Sequence, residues 1–474
     1  MSSAPPQTDI VIVGAGIAGL AAGFELRRRG YENFRLLEAA ERPGGVVSTA
    51  HLAGIPIEEG PDSFLTEKPA ALELCRELGL GEQLIPSHDA ARRTWIWRKH
   101  RLRALPEGWQ MLAPARPLAL WRSNLLSWPA KARIAREFFS SARAPEIEIS
   151  VGALVRSRLG AEVLDVVVAP LLSGVYGGDA DELSLDAVLP RLAQMARQGS
   201  LGRGLWRARR RRGANTGAAR PLFTTLQNGL SECIAALAAR LEPHIETGCR
   251  VSRITKSGEK YQEGYQLECH DQAPGSPAGR IPQIHCRKLI LALPAWAAAE
   301  LLRELDGELA AQLAAVPYAS SLTINLAYSP APPLPDGFGV LIPPGEGLRM
   351  RACTFIQQKF PARVPAGRAL LRVFYGGVRD SEALALSDEE LLALATGELR
   401  TILGLKQPPA AGHIRRWPRA MAQYTVGHGG RQQRVQAALA RHAGLALAGN
   451  AYRGIGISDC IESGYAAARK LIHA

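Results

Sequence analysis

The sequence predicts an α/β protein of several domains, in which one sheet domain is assembled from segments that are far apart in the chain. Two observations predict this class. A buried-strand pattern followed by a glycine-rich turn and a helix opens the chain, and a second strand, glycine-rich turn and helix close it. The length of 474 residues, with 47% apolar and 21% charged residues, suits two or three ordered units with large cores.

The first element is an apolar strand over residues 9–13, which runs into a glycine-rich turn and a helix predicted over residues 17–29. A second strand ends in Glu38. In a Rossmann-like unit such glycines let a pyrophosphate approach the positive helix N-terminus, and an acid at this distance binds the ribose hydroxyls. We therefore prefer dinucleotide binding to a glycine turn without a ligand. The turn glycines are Gly14, Gly16 and Gly19.

The residues after Glu38 indicate which dinucleotide is bound. Arg42 offers a guanidinium to a phosphate or to the chain, and the pair Gly44 and Gly45 lets backbone lie against a longer cofactor. The segment resembles the FAD-binding start of the amine-oxidase-like flavoproteins, and this resemblance implies FAD. Many members carry Arg directly after the glycine pair, whereas this chain has Val46, so the role of that arginine is not transferred.

The end of the chain supplies a second part of the predicted cofactor site. A strand that begins at Leu445 leads into a turn with Gly449, Gly456 and Ser458, and a helix is predicted over residues 460–472. A turn that opens a helix offers free N–H groups beside a positive dipole end, which suits the edge of a flavin that becomes negative on reduction. An ordinary capped helix is the alternative, and the pairing with the N-terminal motif favours the flavin.

Composition limits the partners and the compartment. The seven cysteines are scattered, odd in number and without a C-x-x-C pair, which favours a reducing compartment and argues against a disulfide framework and a metal site. No signal peptide and no membrane-spanning stretch is expected, so we expect a cytosolic protein. The net charge of +13 predicts an anionic partner, such as membrane lipid or an acidic small molecule. Nucleic acid is not expected, because no binding module is recognisable.

Between its ends the chain changes pattern several times. Short alternating strands are followed by a mainly helical region rich in Trp and Arg, and an α/β pattern then returns before a further series of strands. A cofactor domain interrupted by insertions explains why the two glycine-rich turns lie so far apart. Its predicted segments are residues 1–85, 222–295 and 413–474.

Several blocks along nearly the whole chain, in order, resemble the FAD-dependent porphyrinogen oxidases. They are GPDSFL at 60–65, APLLSGVYGGD at 169–179, LS at 183–184, GFGVLIP at 337–343, RWP at 416–418 and GNAYRG at 449–454. The resemblance implies a haem-biosynthesis enzyme that uses FAD and O₂ to oxidise protoporphyrinogen IX to protoporphyrin IX. Oxidation of coproporphyrinogen III to coproporphyrin III is the alternative.

The resemblance also implies two further domains and a set of substrate contacts. A substrate-binding β-sheet domain would comprise residues 86–105 and 296–412, and a helical membrane-associated domain residues 106–221. Arg93 matches an arginine that pairs with a substrate propionate, for which a planar guanidinium is suited. A surface arginine beside Arg92 is the alternative interpretation. Gly174 matches a glycine that lets the macrocycle approach the flavin.

Other matched positions surround the rings and the flavin, and the resemblance implies no catalytic side chain. Three apolar residues would enclose the macrocycle, although they could equally be strand-core residues: Phe338, Leu341 and Phe374. Two residues would lie beside the flavin, the second near the adenine: Trp417 and Val251. An amine oxidase or carotenoid desaturase on the same fold is a rival function, and a non-catalytic flavin or tetrapyrrole carrier is another.

A dense basic cluster ends the helical region. It comprises Arg207 and residues 209–212, and the same helical region carries Trp121 and Trp128 beside apolar residues. Trp at a headgroup boundary with Arg nearby is a usual interfacial arrangement. The sequence therefore predicts peripheral attachment to the inner face of the cell membrane through anionic lipid, against the alternative of a solvated loop.

Overall fold

Two seven-stranded sheets with helices packed around them form the protein. The computed structural model describes residues 8–106, 109–110, 113–114, 117–214, 221–257, 264–271 and 283–473. Each sheet takes strands from distant parts of the chain, as expected for domains built from separated segments. The predicted α/β class is therefore confirmed.

The first sheet carries the glycine-rich turns at the ends of its strands. Its central strands are parallel, so their carboxyl ends meet at one edge of the sheet, where ligands of such sheets bind. An antiparallel hairpin extends the sheet on one side. The parallel strands are Ile245–Glu246, Phe34–Leu37, Thr8–Val13, Gln283–Leu291 and Leu445–Leu447, and the hairpin adds Tyr265–Asp271 and Cys249–Lys256.

The first strand of this sheet is buried on both faces. Ile10 and Ile12 pack into one apolar core, whereas Val11 and Val13 point to the other face and into a second core. Helices on both faces explain why this strand is a continuous apolar run rather than an alternating one. Each of these fully buried aliphatic side chains contributes about 1.5–3 kcal/mol to folding.

The second sheet joins strands from residues 94–104 to strands from residues 318–422. The two groups meet where Gly339–Leu341 pairs in parallel with Thr94–Arg98. Residues from 413 onward were predicted to belong to the cofactor domain, but Ala411–Ala422 forms a long ladder with Tyr318–Tyr328, so that boundary falls inside a strand. The strand order is Ala411–Ala422, Tyr318–Tyr328, Ala369–Gly376, Ala352–Phe355, Gly339–Leu341, Thr94–Arg98 and Arg101–Ala104.

Short sheets and helices complete the fold. The short strands are Thr49–Leu52 with Ile55–Glu58, Phe64–Leu65 with Phe223–Leu226 and Leu84–Pro86, and Trp109–Gln110 with Ala113–Pro114. The α-helices are Ile17–Arg28, Pro69–Glu77, Pro117–Arg122, Trp128–Phe138, Val151–Arg158, Ala161–Val163, Ala169–Tyr176, Leu185–Val188, Pro190–Gln198, Leu201–Ala214, Ser231–Leu241, Ala295–Leu302, Gly307–Ala314, Ile356–Lys359, Asp388–Leu403, His428–Leu439 and Ile457–Ile472. Among the described residues, none of these helices combines the length and apolar character needed to span a bilayer.

Capping residues explain where two of the helices begin. The helix Trp128–Phe138 begins after Ser127, because the Ser127 hydroxyl accepts a hydrogen bond from the N–H of Ala130 at 3.4 Å. The last helix begins at Ile457 rather than residue 460. There the Asp459 carboxylate accepts a hydrogen bond from the Gly456 N–H at 3.2 Å and so caps the first turn.

Candidate active site

One cavity of about 2240 Å³ extends from the glycine-rich turns to the second sheet. Sites for a single small molecule usually measure about 300–1,000 Å³, so this volume has room for a dinucleotide and a second large molecule. The cavity brings together most of the residues predicted from the sequence. The predicted residues that line it are Gly14, Gly16, Glu38, Gly44, Gly45, Arg93, Phe338, Trp417, Gly449, Gly456 and Ser458.

Glycine determines the shape of the N-terminal turn. Two of its positions have no room for a Cβ atom, and a third leaves its backbone open to a ligand. A Cβ on Gly14, whose φ is +100°, would lie 2.5 Å from the Ala292 carbonyl oxygen. A Cβ on Gly19 would lie 1.8 Å from the Gly14 carbonyl oxygen, so only glycine lets the helix approach the strand this closely. Gly16 instead faces open space, since a Cβ there would have no neighbouring atom within 4 Å. Its backbone is therefore accessible to a phosphate.

Glu38 lies at the end of the second parallel strand and on the cavity wall. One carboxylate oxygen accepts a hydrogen bond from the Ala15 N–H at 2.7 Å, and the other accepts one from the Ala40 N–H at 2.9 Å. These bonds fix the carboxylate beside the glycine turn while leaving lone pairs for a ribose hydroxyl. The position agrees with the predicted ribose contact.

Three predicted cofactor residues support the turn instead of lining the cavity. Gly19 is packed between helix and strand, as described above. Arg42 is exposed, and its guanidinium donates a hydrogen bond to the Pro43 carbonyl oxygen at 3.3 Å. Val251 is buried in the hairpin strand, two residues after Cys249, whose N–H donates to the Glu38 carbonyl oxygen at 2.9 Å. The sequence predicts that these three residues lie near the cofactor, but it does not predict which side chains face the cavity.

The C-terminal turn completes this side of the cavity. Ser458 is buried, and its hydroxyl donates to the Lys68 carbonyl oxygen at 3.0 Å and accepts from the Ala71 N–H at 3.3 Å. It therefore fastens two helix starts to each other. The Lys68 ammonium reaches both oxygens of Asp459 at 2.6 Å, an ion pair at the cavity wall that the sequence did not predict.

On the opposite side, the second sheet brings Arg93 and Phe338 together. The Phe338 N–H donates to the Arg93 carbonyl oxygen at 2.8 Å. A Cβ on the preceding Gly337, whose φ is +148°, would lie 2.4 Å from that oxygen, so glycine is required for this contact. The Arg93 guanidinium lies over the Trp95 ring, 5.7 Å from its centroid. Arg92 also lines the cavity but lies 3.9 Å from the Asp89 carboxylate.

Gly174 and Leu341 are neighbours beside this wall rather than part of it. A Cβ on Gly174 would lie 3.7 Å from the Leu341 side chain, and the helix of Gly174 contributes Leu171 and Val175 to the cavity. Phe374 lies on the strand Ala369–Gly376, where its ring packs 5.1 Å from the Arg372 guanidinium. Their predicted contacts with a macrocycle stay predictions.

A buried ionic cluster lies behind the segment that carries the cavity residues Pro61 and Ser63. The Lys359 ammonium binds the Asp62 carboxylate at 2.9 Å, and the Arg372 guanidinium donates to the Gly60 carbonyl oxygen. Burial alone would raise the pKa of Asp62, but Lys359 and Arg372 hold it well below its usual range. The segment is thus fixed by charge-assisted bonds that solvent screens little.

A second buried ion pair also lies behind the cavity. The Arg363 guanidinium binds Glu58 at 2.7 Å, and both side chains are at most 2% exposed. Burial raises the pKa of Glu58, while Arg363 opposes that shift. Trp417 is held nearby, because its indole N–H donates to the Glu59 carbonyl oxygen at 2.7 Å. These contacts fasten the short strand Ile55–Glu58 and the residue after it to the turn that ends at Arg363 and to the second sheet.

Further cavity residues were missed by sequence reasoning, because no local motif marks them. Arg122 and Arg453 line the cavity, and in the described part of the chain neither has a carboxylate within ion-pair distance. Arg93 likewise has no carboxylate partner among the described residues. Unpaired guanidinium groups in a cavity favour an anionic ligand. Tyr424 also reaches the wall.

Comparison with known proteins agrees with this architecture. The profile of a family described as "Flavin containing amine oxidoreductase" matches residues 17–472. The chain is 30% identical to a coproporphyrinogen III oxidase of Bacillus subtilis, over 97% of each chain. It is 30% identical to a chloroplastic protoporphyrinogen oxidase of Nicotiana tabacum, over 98% of this chain and 85% of that protein. A crystal structure from Exiguobacterium, assigned as a protoporphyrinogen oxidase, superposes with a TM-score of 0.85 at 30% identity, covering 98% and 99% of the two chains.

These matches confirm the family resemblance and the predicted cofactor. The glycine turns that line the cavity fit FAD, and the family is defined by a flavin. The protein is thus an FAD-dependent oxidoreductase, and the chain belongs to the flavin containing amine oxidoreductase family.

Proposed function

We propose that this protein is a porphyrinogen oxidase of haem biosynthesis, which converts a porphyrinogen to the corresponding porphyrin. The observation that carries the proposal is the continuity of one cavity from the FAD-fitting turns to a wide second part with unpaired arginines. A porphyrinogen is a large, mostly apolar macrocycle with carboxylate side chains, and it needs such a space. The names of the full-length relatives support the same reaction.

The protein's own contribution is binding, orientation and exclusion of water. FAD, when bound, supplies the capacity to accept the electrons that aromatisation of the macrocycle releases. Apolar side chains such as Leu171, Val175 and Phe338 would cover the rings, and Arg93 would bind a propionate through two hydrogen bonds. We assign no side chain as a general acid or base, and O₂ is the proposed electron acceptor.

Protoporphyrinogen IX is the substrate that the sequence favours, and coproporphyrinogen III is the second candidate. The first macrocycle carries two propionates and the second carries four. Four arginines line the cavity without a carboxylate partner among the described residues, which is enough positive charge for a substrate with four propionates: Arg93, Arg122, Arg419 and Arg453. Relatives of similar identity carry either name.

Turnover of purified holoenzyme tests the function and the substrate together. Both porphyrinogens can be assayed by the fluorescence of the porphyrin formed, and we expect a higher kcat/KM for protoporphyrinogen IX. A higher kcat/KM for coproporphyrinogen III would reverse the order. Reduction of bound FAD by polyamines or by a polyene, with no porphyrin formed from either macrocycle, would exclude the proposed reaction. A reduced flavin that persists in air would exclude O₂ as the acceptor.

We further propose that the protein is cytoplasmic and attaches peripherally to the inner face of the cell membrane. Trp121 and Trp128 are exposed, and their rings form a pair with centroids 5.6 Å apart. Trp206 is also exposed, beside the basic cluster. Arg207 is described and exposed, whereas the side chains of residues 209–212 lie outside the described residues. Exposed Trp with neighbouring Arg suits an anionic headgroup layer.

Vesicle sedimentation tests the attachment. We expect the protein to sediment with anionic vesicles and to be released by salt, because each Arg near an anionic surface contributes about 1 kcal/mol. Trp128→Ala, and replacement of the five clustered arginines by Gln, should each reduce the bound fraction. Equal sedimentation with neutral and anionic vesicles would contradict the proposal.

A further inference from the structure

Tyr424 bridges a loop on the cofactor side of the cavity. The loop runs from Asn450 to Gly454, after the last strand of the first sheet and before the C-terminal helix. The Tyr424 hydroxyl donates a hydrogen bond to the Asn450 carbonyl oxygen at 2.7 Å and accepts one from the Gly454 N–H at 2.7 Å. One hydroxyl therefore joins the two ends of the loop, and both ends line the cavity.

The tyrosine is itself held in place from several directions. Its side chain is buried, and its ring stacks on the imidazole of His428 with centroids 4.0 Å apart and planes 17° apart. Its carbonyl oxygen accepts a hydrogen bond from the Ser184 N–H at 2.8 Å, which belongs to the helical region. A side chain can fix a loop only when it is fixed itself, and Tyr424 meets that condition.

The loop carries groups that matter for a bound cofactor. Its first residue follows Gly449, and its last residue is two positions before Gly456, so it connects two predicted cofactor contacts. Arg453, near its end, faces the cavity. The inter-strand and helical bonds of the fold do not determine the conformation of such a short irregular segment. Its middle is held by the Gln432 amide and the His428 imidazole, which bond to the Ala451 and Tyr452 carbonyl oxygens, each at 3.2 Å. The Tyr424 hydroxyl is the group that bonds to both ends.

We propose that Tyr424 is a positioning residue for FAD, whose hydroxyl keeps the Asn450–Gly454 loop in the shape that lines the cofactor side of the cavity. It transfers no proton and touches no reacting atom. Removal of the hydroxyl leaves the Asn450 carbonyl and the Gly454 N–H without their shared partner, and the loop then relaxes toward other bonding arrangements.

Tyr424→Phe in the holoenzyme tests the proposal, with Tyr452→Phe as a matched control. Tyr452 lies in the loop itself, is also buried, and its hydroxyl has no hydrogen-bond partner among the described residues. We expect the FAD dissociation constant to rise about tenfold in Tyr424→Phe, the effect of one lost hydrogen bond. It should change less than about twofold in Tyr452→Phe, and the visible spectrum of bound FAD should shift only in the first variant. Unchanged affinity and spectrum in Tyr424→Phe would overturn the proposal.

Hydrogen exchange separates positioning from general destabilisation. In Tyr424→Phe we expect faster exchange in the loop peptide and unchanged exchange in the helix Ser231–Leu241. A uniform increase over the whole chain would overturn the positioning role. If the variant does not fold, the wild-type holoenzyme decides the question: the Gly454 amide should be protected, and exchange at the rate of an open loop would contradict the proposal.

Discussion

The two sides of the cavity are built in different ways. On the cofactor side the backbone forms the wall, because Gly14, Gly16 and Gly449 expose it directly. On the opposite side side chains form the wall, among them Val175 and Phe338. A backbone wall cannot be altered without moving the strands and helices that carry it, whereas a side-chain wall can change one residue at a time. Cofactor binding is thus tied to folding, and substrate choice is separable from it.

The largest effect should follow a change at Gly19, which supports the backbone wall from behind. Gly19→Ala places a methyl 1.8 Å from the Gly14 carbonyl oxygen, so the helix must move away from the strand. We expect insoluble protein or protein without FAD. Gly16→Ala is the matched control, because its methyl points into open space. It should fold with an unchanged melting temperature as apoprotein while retaining less FAD. Normal FAD content in Gly19→Ala would contradict the close-approach argument.

A change at the buried Glu58–Arg363 ion pair should have the next largest effect. Glu58→Gln removes the charged partner of Arg363 at a buried position, and breaking such a pair costs about 3–5 kcal/mol. The comparison is Glu67→Gln at the exposed pair with Arg191, whose side chains are 53% and 76% exposed. That change should cost less than about 1 kcal/mol. Chemical denaturation measures both, and equal losses would show that burial does not distinguish the two pairs.

A change on the side-chain wall should weaken substrate binding and leave FAD binding unchanged. Arg93→Ala should raise KM for the porphyrinogen about ten- to a hundredfold, since a charge-assisted contact contributes about 1.5–3 kcal/mol. FAD content should stay at the wild-type level. Arg92→Ala is the control, because Asp89 lies 3.9 Å from its guanidinium and partly neutralises it. A larger effect in Arg92→Ala would assign the propionate to that residue instead.

The smallest expected effect is on the pH dependence of the unfolding free energy. Burial lowers the pKa of His428 below its ordinary value, although a hydrogen bond to the Tyr452 carbonyl opposes the shift. The unfolded chain therefore takes up a proton near pH 6.5 that the folded chain takes up only at lower pH, and stability falls as pH falls below about 6.5. His428→Gln should flatten the slope of unfolding free energy between pH 7 and 5 by up to about 1.4 kcal/mol per unit. An unchanged slope in His428→Gln would contradict this assignment.

The sequence predicts the local features of this molecule better than its long-range contacts. The strand, turn and helix that contain Gly14 and Glu38 follow from spacing alone, and the structure has them within a residue or two of the expected bounds. The bond between Arg93 and Phe338 depends on the pairing of strands far apart in the chain, which no local pattern specifies. For the same reason, the sequence does not predict the ion pair between Lys68 and Asp459 or the hydrogen bonds of Tyr424 to the 450–454 loop.

Resemblance to a family predicts some of the residues that local patterns miss, but not all of their side-chain positions. It drew attention to Phe338 and Trp417, which do line the cavity. It also nominated Val251, which lies in the hairpin strand beside the cofactor end rather than on the cavity wall. Motif matching identifies the neighbourhood of a residue, because neighbourhood follows from the fold. The direction of a side chain depends on packing that differs between relatives at this level of identity.

The order of strands in the first sheet has a consequence for how the protein is made. Thr8–Val13 lies between Phe34–Leu37 and Gln283–Leu291, and the last strand and helix come from residues 445–472. During synthesis the first strand must wait until residues 283–291 have been made before its second neighbour exists, and the turn and helix that follow Leu445–Leu447 are made later still. The nascent chain therefore exposes apolar strand edges over a long stretch of synthesis, at several residues per second, and both glycine-rich turns are available to FAD only once residues 445–472 have been made.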